Sequence, residues 1–432
     1  MTTREQALAL DAGDPLAPLR EQFHLPEGLI YLDGNSLGVM PRATPERVRQ
    51  VVEDEWGQGL IASWNTAGWM TLPQRVGDKI ARLVGAGPGE VVAADSTSVN
   101  LYKVLAAALA MQRQDQPHKR VIVSERHNFP TDLYIAQSLA EQHGCTLRLV
   151  ERPEALPAAI TANDDAGCAV LMLTQVNYRT GWLHDMAALS ALARQAGALS
   201  VWDLAHSAGA LPVALNGDGA DFAIGCGYKY LNGGPGAPAF VWVRPGLAGR
   251  FRQPLSGWLG HAAPFAFTPD YQPAPGIGRY LCGTPGVIAM AALEVGVDTL
   301  LAAEALGGLA ALRSKSLALT RLFAELVNER CADHGLAIAS PADDGRRGSQ
   351  VCLARAEGAY AIVQALITRN VVGDFRAGDA PGQGTAPDIL RFGVTPLYTR
   401  YVDVWDAVEQ LRQVLDSGEW RQPRFAQRSL VT

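Results

Sequence analysis

Two residues of this sequence have types and positions that could do chemistry together, an acid at 203 and an amine at 229. Asp203 ends an apolar run over residues 198–202, and Lys229 follows a second apolar run, over 221–225, in a glycine-rich turn. Both runs are typical of buried parallel strands. Ligands bind at the carboxyl ends of such strands. The chain between Asp203 and Lys229 is long enough for a short return and a second strand that ends at the same edge of the sheet. We therefore expect the two side chains to share one edge of a sheet.

The chemistry open to such a pair is the attack of an amine on a carbonyl group. A lysine in an apolar crevice loses solvation of its ammonium form, which lowers its pKa and frees the amine to form a Schiff base. Pyridoxal phosphate (PLP) needs such a lysine and also an acid that keeps its ring nitrogen protonated. Taken singly, Asp203 is better explained as a turn cap and Lys229 as a solvated loop cation. Their joint placement after buried strands favours the PLP interpretation.

The elements around these residues predict an α/β fold. An apolar strand over 168–174 is followed by a loop, a helix over 184–197 and the strand that ends at Asp203. This order requires a parallel crossover, so we expect a large, doubly wound, mostly parallel sheet with a smaller α/β domain after it. The predicted division is an N-terminal segment that joins the small domain, a large PLP-binding domain and a small C-terminal domain, at 1–60, 61–285 and 286–432.

Composition and charge exclude several classes of function. The 432 residues are 48% hydrophobic and 19% charged, with a net charge of −6, which argues against nucleic acid as a partner. The sequence has no Walker lysine and no G-x-G-x-x-G after a strand. No apolar run is long enough to span a membrane, and the N-terminus lacks the apolar core expected of a signal peptide. The six cysteines lack the close pairs of a zinc site. We expect a cytoplasmic protein with reduced thiols and no bound metal.

Two segments carry a specific resemblance. Trp-Asp-Leu-Ala-His-Ser-Ala-Gly over 202–209 and Tyr-Lys-Tyr-Leu-Asn-Gly-Gly-Pro-Gly over 228–236 resemble the kynureninase family, PLP-dependent enzymes of the aspartate-aminotransferase fold type. Further family-like segments recur from Tyr31 to Val408, most weakly around 300–350. The resemblance implies PLP held as a Schiff base on Lys229, hydrolysis of L-kynurenine to anthranilate and L-alanine in tryptophan catabolism, and a homodimer with shared active sites. 3-Hydroxykynurenine is a further candidate substrate.

Hydroxyl groups after an early strand predict an anion site. Ser96, Thr97 and Ser98 are natural helix caps, and three in succession also suit an anion, because free N–H groups and the helix dipole converge there. With the resemblance, Thr97 and Ser98 are interpreted as phosphate ligands. The resemblance also implies that Tyr228 contacts the phosphate, and that Trp258 reaches it through its indole N–H from a neighbouring subunit.

Other candidate residues would surround the cofactor ring. Pro130 stiffens the segment Asn-Phe-Pro-Thr-Asp, so Phe129 can present a flat ring and Asp132 a carboxylate to the same space. Core packing and helix capping explain this short pattern equally well, but it resembles the cofactor segment of the family, which implies stacking by Phe129 and polar ring contacts by Asp132. Thr174 ends the neighbouring strand, and the resemblance places His206 against the cofactor.

Candidate substrate residues are spread along the chain. Trp64 resembles a substrate-side residue of the family, and Gly283 and Thr284 are implied to line the cofactor and aryl pocket. Arg391 lies in an apolar strand, where either an internal acid or the α-carboxylate of a substrate would pair with it. The residues alone leave that choice open, whereas the resemblance favours the substrate. Arg376 is a competing candidate.

The predicted mechanism has a rival within the same fold type. Asp203 would keep the ring nitrogen charged, Lys229 would move the Cα proton, and Tyr228 would be the acid for cleavage of the Cβ–Cγ bond. A cysteine desulfurase or selenocysteine lyase would instead need a nucleophilic cysteine. Cys352 lies in a strand where an inert thiol is expected, whereas Cys331 ends a helix and stays a candidate. A binding or regulatory protein without the cofactor is a third interpretation.

Overall fold

The chain forms two compact units. The computed structural model describes residues 2–162, 166–250, 253–380, 382 and 384–428. The larger unit consists of Ala43–Asn177 and His184–Leu301, and the smaller one of Met1–Arg42, Tyr178–Leu183 and Ala302–Thr432. Each unit is described separately below.

The strands and α-helices follow in chain order. The strands are β1 (Ile30–Tyr31), β2 (Val91–Ala94), β3 (Val121–Glu125), β4 (Thr146–Val150), β5 (Cys168–Thr174), β6 (Leu199–Asp203), β7 (Phe222–Gly225), β8 (Ala239–Val243), β9 (Ala337–Ile338), β10 (Gln350–Arg355), β11 (Val371–Val372), β12 (Asp374–Arg376) and β13 (Asp388–Gly393). The α-helices are α1 (Arg4–Ala12), α2 (Thr44–Gln50), α3 (Ser63–Thr66), α4 (Leu72–Val84), α5 (Thr97–Asp115), α6 (Pro130–His143), α7 (Leu156–Ile160), α8 (Met186–Gln195), α9 (Pro245–Ala248), α10 (Val287–Leu301), α11 (Gly308–Arg330), α12 (Ala359–Thr368), α13 (Tyr401–Ser417) and α14 (Pro423–Ala426).

The larger unit is built on a mostly parallel sheet. Among the described residues, seven strands pair in the order β2-β8-β7-β6-β5-β3-β4. The run from β7 to β4 is parallel, while β8 is antiparallel to both of its neighbours. Strands β3, β5 and β7 are buried along their whole length, as expected for apolar runs covered on both faces. The predicted α/β fold with a mostly parallel sheet is confirmed.

The sheet register places the acid of the sequence analysis at the carboxyl edge. Asp203 ends β6, pairs with Thr174 at the end of β5 and lies opposite Ile224 of β7. Lys229 follows the end of β7 after a short turn. The carboxyl ends of β6, β5 and β7 therefore carry the acid of Asp203, the hydroxyl of Thr174 and the turn that leads to Lys229. Open α/β sheets bind their ligands at this edge.

The smaller unit contains an antiparallel sheet in the order β12-β13-β10-β9. For this part of the chain the sequence predicts helices over 311–330, 359–368 and 402–415. Helix α12 has the predicted bounds, and α11 and α13 begin and end within about three residues of theirs, which is normal for helix ends. The sequence also predicts a strand from Ile389 that breaks at Pro396, whereas β13 ends earlier, at Gly393. The reason is a turn in which Tyr398 and Thr399 donate backbone hydrogen bonds to the carbonyl of Thr395.

The compact units have different bounds from the predicted domains. Helix α10, which follows the predicted boundary at 285, belongs to the larger unit because it packs against α4 and α2. Gly296 allows this helix to approach the loop after Lys229, since a Cβ there would lie 2.3 Å from the carbonyl oxygen of Leu231. The predicted division into folding domains stays a prediction. Within the part of the chain that the structure describes, no helix has the length and apolarity that crossing a bilayer requires.

Candidate active site

Asp203 is the acid at the centre of the site. Its side chain is buried at the end of β6, and Oδ1 accepts a hydrogen bond of 2.8 Å from the backbone N–H of Ala205. The strand brings it to this point because the preceding residues of β6 are apolar or small and fill the core on both faces. A buried carboxylate of this kind needs positive or donor groups around it.

A second acid, Asp132, lies beside Asp203. Pro130 begins α6, so Asp132 falls in the first helical turn, and its side chain is buried. Its Oδ2 accepts hydrogen bonds from Asn128 Nδ2 at 3.3 Å and from Thr174 Oγ1 at 3.4 Å. Asn128 in turn accepts a hydrogen bond of 2.9 Å from the backbone N–H of Thr174. Asn128 therefore ties the Phe-Pro segment to the end of β5.

The two carboxyl groups have different electrostatic surroundings. Burial, and then the charge of Asp203, raises the pKa of Asp132 well above its usual value. Burial also raises the pKa of Asp203, but Lys229, the N–H of Ala205 and a hydrogen bond from Asp132 lower it. A hydrogen bond between two carboxyl groups needs one proton, and these directions assign it to Asp132. Asp203 is then the ionised member of the pair.

Lys229 lies among groups suited to a carbonyl-bearing aromatic cofactor. Its Nζ is 3.0 Å from Nε2 of the buried His206 and 5.8 Å from the ring centroids of both Phe129 and Tyr228. It is also close enough to Asp203 to lower the pKa of that carboxyl group. The structure thus brings together the predicted residues at 129, 132, 174, 203, 206, 228 and 229.

The start of α5 fits a phosphate group. Ser96 is the N-cap, and its side chain accepts a hydrogen bond of 3.3 Å from the N–H of Val99. Thr97 and Ser98 are therefore free of the capping role and stand in the first helical turn. Thr97 Oγ1 is buried and has no hydrogen-bond partner among the described residues. An orphaned hydroxyl at a helix N-terminus suits an anion, so this end of the helix fits the phosphate of PLP.

Trp258 belongs to an aromatic cluster. Its ring centroid is 5.9 Å from that of Trp64 and 5.9 Å from that of Phe265, in edge-on and tilted arrangements. It also lines a cavity of about 410 Å³. Gly283 and Thr284 are exposed. The roles predicted for Trp64, Trp258, Gly283 and Thr284 stay predictions.

In the smaller unit, Arg391 is held by internal partners. Its side chain is buried, Nη2 donates to Asp374 Oδ2 and, at 2.6 Å, to Ser36 Oγ, and Nη1 donates to the carbonyl of Tyr178 at 3.0 Å. Arg376 Nη2 lies 2.6 Å from the same oxygen of Asp374. Its Nε is buried without a hydrogen-bond partner among the described residues. The internal acid that the sequence left open is therefore Asp374.

Sequence reasoning missed two partners, Asn128 and Asp374. Asn128 stands directly before the Phe-Pro segment, and Asp374 directly before Phe375 and Arg376. A polar residue next to each predicted site segment was the available signal. The pairing itself joins residues that are far apart in the chain, so spacing alone could not reveal it.

Comparisons with known proteins identify the family. A sequence profile of the kynureninase C-terminal domain matches residues 312–411. Kynureninases from Pseudomonas fluorescens and from Burkholderia pseudomallei strain 1106a are each 56% identical to this chain over 434 aligned residues, which cover 100% of both sequences. The chain belongs to the kynureninase family. The segments predicted to be family-like thus lie within a relationship that covers the whole chain.

Solved structures share the fold at low identity. The apo cysteine desulfurase of Thermococcus onnurineus NA1 matches with a TM-score of 0.77 at 18% identity, over 93% of this chain and 98% of that one. A C-DES mutant, with glycine covalently linked to its PLP cofactor, matches with a TM-score of 0.78 at 16% identity, over 91% and 98%. These similarities support the predicted fold type.

Proposed function

We propose that this chain hydrolyses L-kynurenine to anthranilate and L-alanine, as a step of tryptophan catabolism, with 3-hydroxykynurenine as a further candidate substrate. The observation that carries the proposal is the 56% identity to kynureninases over the full length of both chains. The placement of Asp203 and Lys229 at one sheet edge supports it, because the reaction needs an amine and an acid there.

The cofactor in this proposal is PLP attached to Lys229. Bound PLP would supply an electron sink for the carbanion formed at the substrate Cα. Asp203 would hold a proton at the ring nitrogen, and Phe129 would lie against the ring. Thr97, Ser98 and Tyr228 would hold the phosphate. The unpartnered Thr97 hydroxyl supports this assignment.

Two residues would move protons. The amine of Lys229 would take the proton from the substrate Cα, and His206, 3.0 Å from that amine, would orient it. The hydroxyl of Tyr228 would donate a proton to the γ-carbonyl oxygen while water adds to the γ-carbon, before the Cβ–Cγ bond breaks. One water enters for each pair of products, so the reaction needs no other co-reactant.

The substrate's α-carboxylate would bind Arg391. The guanidinium group is planar, always charged and already oriented by Asp374 and Ser36, which suits it to a carboxylate. Trp64 would contact the aromatic ring of the substrate. Gly283 and Thr284 would line the aryl pocket.

We also propose a homodimer in the cytoplasm. Exposed apolar side chains cluster on two stretches of the larger unit, at Trp56, Leu60, Ile61, Phe265 and Phe267, and exposed apolar patches mark interaction sites. A second copy of the chain would cover them and could bring Trp258, Gly283 and Thr284 to a shared site. All six cysteines are free thiols, which suits a reducing compartment.

The test is direct. Purified protein with PLP should release fluorescent anthranilate from L-kynurenine, and Lys229→Ala should not. Lys79→Met, which removes a lysine of a surface ion pair on α4, is the matched control and should behave like the wild type. An active Lys229→Ala variant, or a wild type that is silent toward both kynurenine and its 3-hydroxy form, would refute the proposal.

The desulfurase alternative is less supported. Burial raises the pKa of Cys352 and of Cys331 to about 11 in each case. A thiol with such a pKa is almost wholly protonated near neutral pH, whereas a desulfurase needs a thiolate nucleophile. Both side chains are also buried. Neither cysteine is therefore placed to attack a substrate.

A further inference from the structure

Lys103 is a fully buried lysine that the reaction does not use. It lies in the second turn of α5, the helix whose first residues are Thr97 and Ser98. Helical side chains point back toward the N-terminus, so its ammonium group reaches the residues just before the helix. There Nζ donates to Asp95 Oδ2 and, at 2.7 Å, to the carbonyl of Tyr280.

Asp95 has an unusual backbone. Its φ is +47°, in the left-handed region that non-glycine residues rarely adopt. Such a conformation is strained and persists only where the surroundings hold it. Two contacts do so here, the ion pair with Lys103 and the hydrogen bond of 2.9 Å from the N–H of Ala239 to the carbonyl of Asp95.

This turn sets the direction of the helix start. Strand β2 ends at Ala94 and Ser96 is already the N-cap, so Asp95 is the single residue between the strand and the cap of α5. Its dihedral angles therefore determine where the N–H groups and hydroxyls of Thr97 and Ser98 point. The unpartnered Oγ1 of Thr97 is aimed by that same turn.

The second contact of Lys103 reaches another predicted phosphate element. Tyr280 ends a short helical turn, and the carbonyl of Cys282, two residues later, accepts a hydrogen bond of 3.1 Å from the N–H of Leu259. Leu259 is the neighbour of Trp258. One ammonium group thus holds the turn before Thr97 and the segment that supports the indole of Trp258.

We infer that Lys103 is a positioning residue for the cofactor phosphate, acting through Asp95 on the start of α5 and through Tyr280 on the Trp258 segment. The inference rests on the proposed phosphate site at Thr97 and Ser98. A lysine with only a structural role would affect the binding of PLP and of pyridoxal alike. A positioning role predicts a loss confined to the ligand that carries the phosphate.

The experiment compares the dissociation constants of PLP and pyridoxal for the apoprotein. Lys103→Met fills the buried space without the charge. Removal of one partner of such an ion pair is destabilising, so the double variant with Asp95→Asn, which removes both charges, is measured beside it. We expect PLP binding to weaken by about tenfold or more, equivalent to about 1.4 kcal/mol, while pyridoxal binding changes by less than about threefold. Asp95→Asn and the double variant complete a double-mutant cycle. If Lys103 acts through Asp95, the two single variants and the double variant should lose the preference for PLP over pyridoxal by similar factors.

Lys79→Met, another ion-paired lysine, is the control and should leave both constants unchanged. If Thr97→Val abolishes the preference for PLP but Lys103→Met and the double variant retain it, the inference about Lys103 is wrong while the phosphate site stands. If Thr97→Val and Ser98→Ala also retain the preference for PLP, the phosphate site is not at these residues, and the inference about Lys103 is then wrong as well. Urea unfolding of each apoprotein identifies any variant that is not folded. If a single variant does not fold, the double variant, which lacks both charges of the ion pair, decides the outcome.

Discussion

Asp132 and Asp203 are both buried at the carboxyl edge of the sheet, where each changes the pKa of the other. Burial and the charge of Asp203 raise the pKa of Asp132, whereas Lys229 and the N–H of Ala205 lower that of Asp203, so we expect the shared proton on Asp132. The pair places one neutral and one charged carboxyl group side by side in a buried setting. Only the charged one can stabilise a protonated ring nitrogen, so the two acids should not be equivalent in function.

Substitution of the two acids by asparagine should separate them. Asp203→Asn removes the carboxylate, and kcat/KM for kynurenine should fall roughly 100-fold or more, as when a preorganised electrostatic partner is lost. Asp132→Asn keeps a donor toward Asp203, so its loss should be less than about tenfold, the scale of one neutral hydrogen bond. Steady-state anthranilate fluorescence measures both. Equal losses would show that the proton is not localised on Asp132.

Tyr228→Phe separates the two roles proposed for that residue. If its hydroxyl donates a proton to the substrate, kcat should fall by about 10²–10⁴. If it only contacts the phosphate, PLP should bind more weakly while kcat at saturating PLP stays near the wild-type value. We expect the first result. Titration of PLP into the apoprotein and turnover at saturating PLP distinguish the two outcomes.

Arg391→Lys and Arg376→Lys test which guanidinium group binds the substrate carboxylate. A lysine cannot make the forked contact, so Arg391→Lys should raise KM by roughly 10- to 100-fold, the range for a hydrogen bond to a charged group. Arg376→Lys should raise it by less than about threefold. The reverse order would assign the carboxylate to Arg376, whose Nε lacks a partner among the described residues.

Asp33 should make the stability of the smaller unit depend on pH. Burial, and then the charge of Asp374, raises the pKa of Asp33 to about 7, from a model-peptide value of 3.8. The folded state therefore binds more protons than the unfolded state between about pH 4 and pH 7, and the free energy of unfolding falls as the pH rises through that window. Asp33→Asn cannot ionise and should be more stable than the wild type at pH 8, by at most about 4 kcal/mol.

Urea unfolding at pH 4, 6 and 8 measures this effect. The stability difference between Asp33→Asn and the wild type should be near zero at pH 4 and should grow with pH. A difference that is the same at all three values would contradict the raised pKa.

Thiol chemistry should have little effect on turnover. Because Cys331 and Cys352 are buried and their thiols are protonated near neutral pH, Cys331→Ser and Cys352→Ser should keep kcat within about threefold of the wild type. Stability should fall by about 1–3 kcal/mol, because the hydroxyl group is more polar than the thiol it replaces. Loss of anthranilate release in either folded variant would restore the cysteine-dependent alternative.

The sequence by itself determined where the reactive groups stand in the chain's local structure. Apolar runs before Asp203 and Lys229 predicted buried strands, and a residue that ends such a run falls at the strand's carboxyl end. The same local reasoning predicted α12 with its observed bounds and capping residues at the start of α5, where Ser96 is the N-cap. These features depend on neighbouring residues, which is why periodicity and capping residues predict them.

Only the tertiary structure decided which distant groups meet and which of them are charged. The pairing of β5 with β6 brings Thr174 beside Asp203 and places Asp132 against both, and burial there determines where the shared proton lies. The sequence left the internal partner of Arg391 open, and the pairing of β12 with β13 brings Asp374 to it. Strand order and desolvation depend on the whole fold, and the spacing of residues along one chain carries neither.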